Sequence, residues 1–216
     1  CSQSRGLGDV YKRQLPQSAD DPVRAADLCG ANLLLNRQAR RAGLAFDRDG
    51  DLALSGTVQP EALIRLQQWP YLHREGPKSL AAEDLDPLHD ILDGIPDPRN
   101  AAATAVEWVA QTVAGSLDPA EEASRTLLVT GGGAHHHCLM ERLRTLLPKG
   151  WTLEIPDPAW VDGKEAIAFA WLALRTAQGK PTSLATVTGA SQDVCGGVLF
   201  GTCLLYTSDA ADERNS

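Results

Sequence analysis

Positive charge is scarce in this chain of 216 residues: Lys and Arg number 20 against 28 Asp and Glu, a formal charge of −8. Without a basic field to neutralise a phosphate backbone, nucleic-acid and anionic-membrane roles are disfavoured. Long apolar runs are missing too. None approaches the ~20 residues of a spanning helix, and the start lacks the basic, apolar, small-residue order of a secretory signal, so the expected compartment is the cytoplasm. Cysteine is sparse, with five residues (Cys1, Cys29, Cys138, Cys195, Cys203) far apart and no CxxC. An odd, scattered set indicates neither a disulfide framework nor a zinc knuckle, and reduced thiols fit best. No internal repeat or low-complexity tract occurs. What is present, 43% hydrophobic and 22% charged residues, is the balance of a soluble globular protein.

The two ends stand apart from the interior. Ser4 to Gln14 and Leu204 to Glu213 show no amphipathic period and no caps suited to the segments beside them, and both resemble conceptual translations of sequencing-adapter DNA. The expected organisation is therefore an adapter-like, non-native tail over 1–14, a biological segment over 15–201, and a second such tail over 202–216. Ordinary flexible tails are the alternative.

Within the interior, Asp27 to Asn32 reads as a loop leading into a helix from Leu33, with Gly43 at its end. Phe46 to Leu52 is an acidic turn, but Gly50 is too early and Val58 stands where a calcium loop needs its closing Glu, so a solvated β-turn is expected. Pro60 to Gln68 reads as a short helix, Pro87 to Pro98 as turn-rich, and Ala101 to Gly115 as a helix with Val106, Val109, Ala110 and Val113 on one stripe. Thr126 to Thr130 has strand character, Gly131 to Ala134 is a tight turn, and His135 to Leu147 is a helix facing inward through Leu139, Met140, Leu143, Leu146 and Leu147. A strand at Thr152 to Ile155, a helix over Lys164 to Gln178 that is apolar nearly all round and so expected to be buried, and a last turn and strand from Thr188 to Phe200 complete an α/β alternation.

The chemistry-bearing features are few. Three glycines between a strand and a helix let backbone approach a ligand closely, and the helix start favours an anion, so a nucleotide is the natural guest. The pattern is neither a Walker loop nor a dinucleotide fingerprint, and a turn that merely permits tight packing remains open. His135, His136 and His137 are consecutive, so their side chains splay by about 100° per residue and cannot converge on one metal. Asp27 is placed where α/β enzymes present carboxylates, although a helix cap or a surface residue also accounts for it. Glu165, near the expected start of the apolar helix, is either a dipole-stabilised structural group or a ligand contact.

Taken in order, Asp27-Leu28-Cys29-Gly30-Ala31-Asn32, Leu54-Ser55-Gly56, Pro70-Tyr71 with Pro77-Lys78-Ser79-Leu80, Gly131-Gly132-Gly133-Ala134-His135, Lys164-Glu165-Ala166 and Val187-Thr188-Gly189-Ala190 resemble the anhydro-N-acetylmuramic acid kinases. The resemblance implies an actin/Hsp70/sugar-kinase (RNase H-like) fold, here incomplete and mainly the C-terminal lobe. It implies ATP and Mg²⁺ as cofactors and a small amino sugar as partner, with no nucleic acid or membrane and with a homodimer as the quaternary option. The implied reaction phosphorylates O6 of 1,6-anhydro-N-acetylmuramic acid while water opens the anhydro bridge, giving N-acetylmuramic acid 6-phosphate for cell-wall recycling.

Position by position, the resemblance makes Asp27 the base that activates water, and Gly131, Gly132, Gly133, Ala134 and His135 the nucleotide turn. It sets Asn32 and Glu165 near the sugar and leaves Lys78 and Ser79 without a role. The chain departs from the family at Ala26 (usually aromatic), Gly30 (usually Pro), Ala81-Ala82 (usually Gly-Arg) and His136 (usually Asn), and the family's phosphate-loop motif Gly-x-Met-Ser-Gly-Thr-Ser occurs nowhere in it. The implied outcome is a fragment with negligible kinase activity by itself. A non-catalytic ATP-fold binding module and a plain two-layer α/β domain are the competing readings.

Overall fold

The computed structural model describes residues 9–14, 23–119 and 125–198. In chain order the elements are β1 (Asp9–Gln14), β2 (Arg24–Gly30), α1 (Asn32–Arg41), α2 (Asp51–Leu54), α3 (Pro60–Gln67), α4 (Asp86–Asp93), α5 (Pro98–Gly115), β3 (Arg125–Leu128), α6 (His137–Leu146), β4 (Trp151–Glu154), α7 (Pro158–Ala177) and α8 (Ala185–Thr188). The class is mixed α/β. The chain divides into two compact units between Glu165 and Ala166, inside α7.

The core of the first unit is organised by α5. Its sequence is rich in Ala, so its backbone can be approached closely from several sides, and a helix apolar nearly all round is stable only when surrounded. Ala101, Ala102, Ala105, Trp108, Val109 and Ala110 are fully buried, and α5 touches α1, α2, α3, α4 and α6. Asp97 caps it, accepting from the Arg99 amide at 2.9 Å, and Pro98 takes the first-turn position where no amide partner is required. The segment before α3 is bound to this same turn. Thr57 N–H donates to Asn100 Oδ1 at 2.8 Å and Gln59 N–H to Thr104 Oγ1 at 2.9 Å. A Cβ on Gly56 would overlap the Arg99 carbonyl, so glycine there is a requirement of close approach.

Charged groups clasp the periphery of this core. Glu107 of α5 and Arg142 of α6 form a two-pronged pair at 2.5 and 2.8 Å, which holds the Glu107 carboxyl below its ordinary range. Arg37 of α1 grips Asp93 of α4 at 2.6 Å, and Arg41 donates to the Leu92 and Ile95 carbonyls at the end of α4.

Strands β3 and β4 pair in parallel, Arg125 opposite Trp151 through Leu128 opposite Glu154, with α6 as the crossover between them. Leu127 and Leu153 pack on the core, while Leu128 on the alternate face is exposed. Strand β1 pairs antiparallel with β2, with Tyr11 opposite Asp27 and an irregularity at Val10/Tyr11.

Several expectations are corrected. Pro87 to Pro98 is not simply turn-rich: α4 forms because Pro87 occupies the first turn, and Leu88 and Leu92, one helical turn apart, are both fully buried. The acidic turn is solvated only in part: Arg48, Asp49 and Asp51 are exposed, but Asp47 is buried and accepts from the Leu52 and Ala53 amides in the first turn of α2. The His135-to-Leu147 helix begins two residues later, preceded by a 3-10 turn over Gly132–His135. The Lys164 helix starts at Pro158 and is mostly exposed, because an all-round apolar helix needs neighbours on every side and the described residues do not supply them. The expected last strand reduces, among the described residues, to a bridge between Ser183 and Val194; Leu199 and Phe200 lie outside them. Cys29, Cys138 and Cys195 carry no disulfide, whereas Cys1 and Cys203 fall outside the described residues.

Candidate active site

Asp27 lies in β2, three residues before its end, and is partly buried. Its surroundings come from one strap, residues 70–80, that runs beside the strand. Asp27 N–H donates to the Lys78 carbonyl at 3.2 Å, and Tyr71 Oη donates to the Asp27 carbonyl at 3.0 Å. The carboxylate itself receives the Leu80 N–H on Oδ2 at 2.9 Å. Oδ1 has no protein donor among the described residues. One oxygen is thus anchored and the other is available to accept a proton, the arrangement a general base requires.

The glycine turn comes after β3, whose ladder is prolonged by Val129 N–H donating to Glu154 O at 2.9 Å. Gly131 has φ +79° and ψ −175°, a conformation essentially restricted to glycine. Ala134 N–H closes the turn on Gly131 O at 2.9 Å. The three glycines have different physical reasons. A Cβ at Gly132 would sit 3.3 Å from Asn32 Nδ2, whereas one at Gly133 would meet no protein atom within 4 Å. Glycine at 133 is therefore not demanded by the chain's own packing, and the open space over it is where a ligand can approach.

The structure brings Asn32, at the start of α1, against the glycine turn, and Lys164 Nζ stands 3.9 Å from the position of a Gly131 Cβ. Ala134 is buried and His135 exposed. Glu165 is corrected: it projects from the exposed middle of α7, not from a buried helix start, because α7 begins seven residues earlier. No hydrogen bond joins it to Asp27 or to the turn among the described residues.

Sequence reasoning passes over one pair. His136 caps α6, its Nδ1 accepting from Leu139 N–H at 3.2 Å, and its Nε2 stands 3.3 Å from Asp47 Oδ2, outside good hydrogen-bond alignment. Asp47 also accepts from Leu52 N–H at 2.8 Å and Ala53 N–H at 3.1 Å. Burial alone would raise the Asp47 carboxyl, but the imidazole and the two amides outweigh it and hold it below the usual range. A Cβ at Gly50 would fall 2.7 Å from the His136 ring, so the turn before α2 is moulded on that side chain. The one signal in the sequence is an Asp shortly before a helix, the mark of a capping residue. Burial and the Asp47 carboxylate also push the neighbouring Cys138 thiol up, which keeps it protonated.

The amino-acid sequence matches those of known proteins. A family model described as anhydro-N-acetylmuramic acid kinase matches residues 16–202. The chain belongs to the anhydro-N-acetylmuramic acid kinase family. Proteins named anhydro-N-acetylmuramic acid kinase are 40% identical in Pseudomonas syringae pv. tomato (80% of this chain, 49% of that protein) and 36% identical in Thiobacillus denitrificans (83% and 49%). One in Vibrio parahaemolyticus is 38% identical over 83% of this chain and 50% of its own length. The chain thus spans about half the length of the kinases it matches. Among the described residues no helix is long and apolar enough to cross a membrane, and no three His, Cys, Asp or Glu side chains group to hold a metal.

Proposed function

We propose that the kinase to which this chain belongs transfers the γ-phosphoryl group of ATP to O6 of 1,6-anhydro-N-acetylmuramic acid as water opens the anhydro bridge. The observation that carries the reading is the Asp27 carboxylate, one oxygen held by Leu80 N–H and the other without a protein donor among the described residues. Oδ1 takes a proton from water as the water oxygen bonds to C1 and the C1–O6 bond breaks. O6 then forms its bond to the γ-phosphorus, ADP leaves, and the proton on Asp27 passes to solvent. The product is N-acetylmuramic acid 6-phosphate, which suits a role in cell-wall recycling in the cytoplasm.

The glycine turn is read as the nucleotide wall. Gly133 leaves space, Gly131 provides the backbone turn, and Ala134 and His135 complete it, with Asn32 and Glu165 toward the sugar. Mg²⁺ accompanies ATP in phosphoryl transfer and takes most of its ligands from phosphate and water, which is compatible with a chain that clusters no three ligand side chains among the described residues. Because the chain lacks the family's phosphate-loop motif, this half alone is read as the nucleotide portion of an incomplete cleft, with 1–14 and 202–216 outside the kinase portion. The second reading, a nucleotide-binding module without catalysis, gains support if the upstream reading frame lacks that motif as well.

The test is mass-spectrometric detection of the 6-phosphate product. The complete reading frame converts the anhydro sugar in the presence of ATP, and the isolated chain does not, since losing one wall of the cleft removes most of the in-line positioning. A complete protein that binds ATP but yields no phosphorylated sugar supports the module instead.

A further inference from the structure

We infer that Lys78 and Tyr71 are positioning residues for Asp27, joined to it in a closed ring of contacts. The inference rests on the reading of Asp27 as the base. Lys78 Nζ donates to the Tyr71 carbonyl at 3.1 Å and stands 4.7 Å from the centroid of the Tyr71 ring. Tyr71 Oη donates to the Asp27 carbonyl, and Asp27 N–H returns to the Lys78 carbonyl. The circuit therefore fixes the strand backbone on both sides of the Asp27 Cα. Two residues past Lys78, the same strap delivers the Leu80 N–H to the carboxylate.

The details fit a device for aiming a side chain. Tyr71 is 5% exposed and its ring stacks on Trp69 with centroids 4.8 Å apart, so its hydroxyl has little freedom. Leu80 is buried and pins the far end of the strap. Among the described residues Lys78 is held by carbonyls and a π face rather than by a carboxylate. Its position after the 3-10 turn over Pro70–His73 lets the ammonium meet carbonyls at the end of that turn. Burial, with Arg74 nearby, lowers the Lys78 pKa, so the charge is kept there at a cost. Asp27 needs both its Oδ2 anchor and its backbone angle for Oδ1 to point at one place. A displacement of about 1 Å at a reacting group can cost ~100-fold in rate.

Two measurements test this. In the 216-residue chain, Tyr71→Phe removes only the hydroxyl and Lys78→Met only the charge. Each should speed hydrogen exchange at the Asp27 and Leu80 amides about tenfold or more while amides of α5 stay unchanged; unchanged exchange at both amides overturns the ring. In the complete kinase, both variants should lower kcat by ~10–100-fold with KM for ATP and sugar within about twofold, and Lys78→Arg, which can still donate to the carbonyl and stack, should restore most of it. Should Lys78→Met fail to fold, Tyr71→Phe decides. If Asp27→Asn abolishes turnover while Tyr71→Phe and Lys78→Met leave kcat intact, the positioning role is overturned and the base stands. If Asp27→Asn itself turns over normally, the base assignment falls and the catalytic part of this inference with it.

Discussion

Asp47 and His136, 89 positions apart, meet at 3.3 Å and join the start of α2 to the start of α6. Each caps its helix and each is buried, so the pair fastens the glycine turn's helix to the segment that packs on α5.

This contact has a pH signature. The folded Asp47 carboxyl is held below its unfolded value of about 4, so its contribution is present above that pH and is lost as pH falls through the lowered folded value. Glu107, held down by Arg142, adds to the same limb. Urea unfolding measured from pH 7 to pH 2 should show stability falling most steeply below about pH 4. Asp47→Asn should be less stable at pH 7 by about 1–3 kcal/mol and show a shallower acid limb; an unchanged limb would remove Asp47 from the account.

The glycines of the turn should separate by their reasons. Gly131→Ala forces a side chain into the φ +79° conformation and should cost about 1–3 kcal/mol of stability. Gly133→Ala meets no protein atom, so it should leave stability within about 0.5 kcal/mol while weakening ATP binding. Thermal unfolding and titration calorimetry on the same variants check both, and an unchanged ATP affinity in Gly133→Ala places the nucleotide elsewhere.

In the complete kinase, Asp27→Asn should lower kcat by ~10²–10⁴-fold with little change in KM, because the amide keeps the shape but cannot accept the proton. Gly132→Val should instead weaken ATP, since its Cβ crowds Asn32 and its methyl groups obstruct the approach of a nucleotide. Equal losses of ATP affinity in the two variants would contradict the division of labour.

The exposed apolar side chains of α7 predict self-association. Ile167, Trp171 and Leu174 share one face of the helix and Phe169 lies on another; all are 46 to 70% exposed, and exposed apolar surface promotes contact between copies. Sedimentation should show mass rising with concentration, and Phe169→Ser with Trp171→Ser should suppress it.

Legibility in the sequence depends on the locality of the signal. The strand, glycine turn and helix from 125 to 146 can be read because a short apolar run, glycine and a 3.6-residue period all lie within twenty-odd residues. The long apolar α5 is legible for the same reason. The α4 helix is hidden by its prolines, although Pro87 sits where a helix tolerates it. Asp47 looks like surface because its decisive partner is 89 residues away, and α7 looks buried because its pattern states a need for neighbours without saying where they come from. At the candidate site, Asp27 and the turn can be singled out from the sequence, but the contacts of Tyr71, Lys78 and Leu80 with Asp27 and with one another each use a backbone atom, which no pattern of side-chain types records.

The central place of α5 also sets an order of assembly. The ribosome releases α1, α2, α3 and α4 before the helix they all touch, and α6 after it. The early helices therefore leave the exit tunnel before the helix against which they pack, and the core around α5 can close only when residue 115 is out. Synonymous codons that slow translation between α4 and α5 should lengthen that interval.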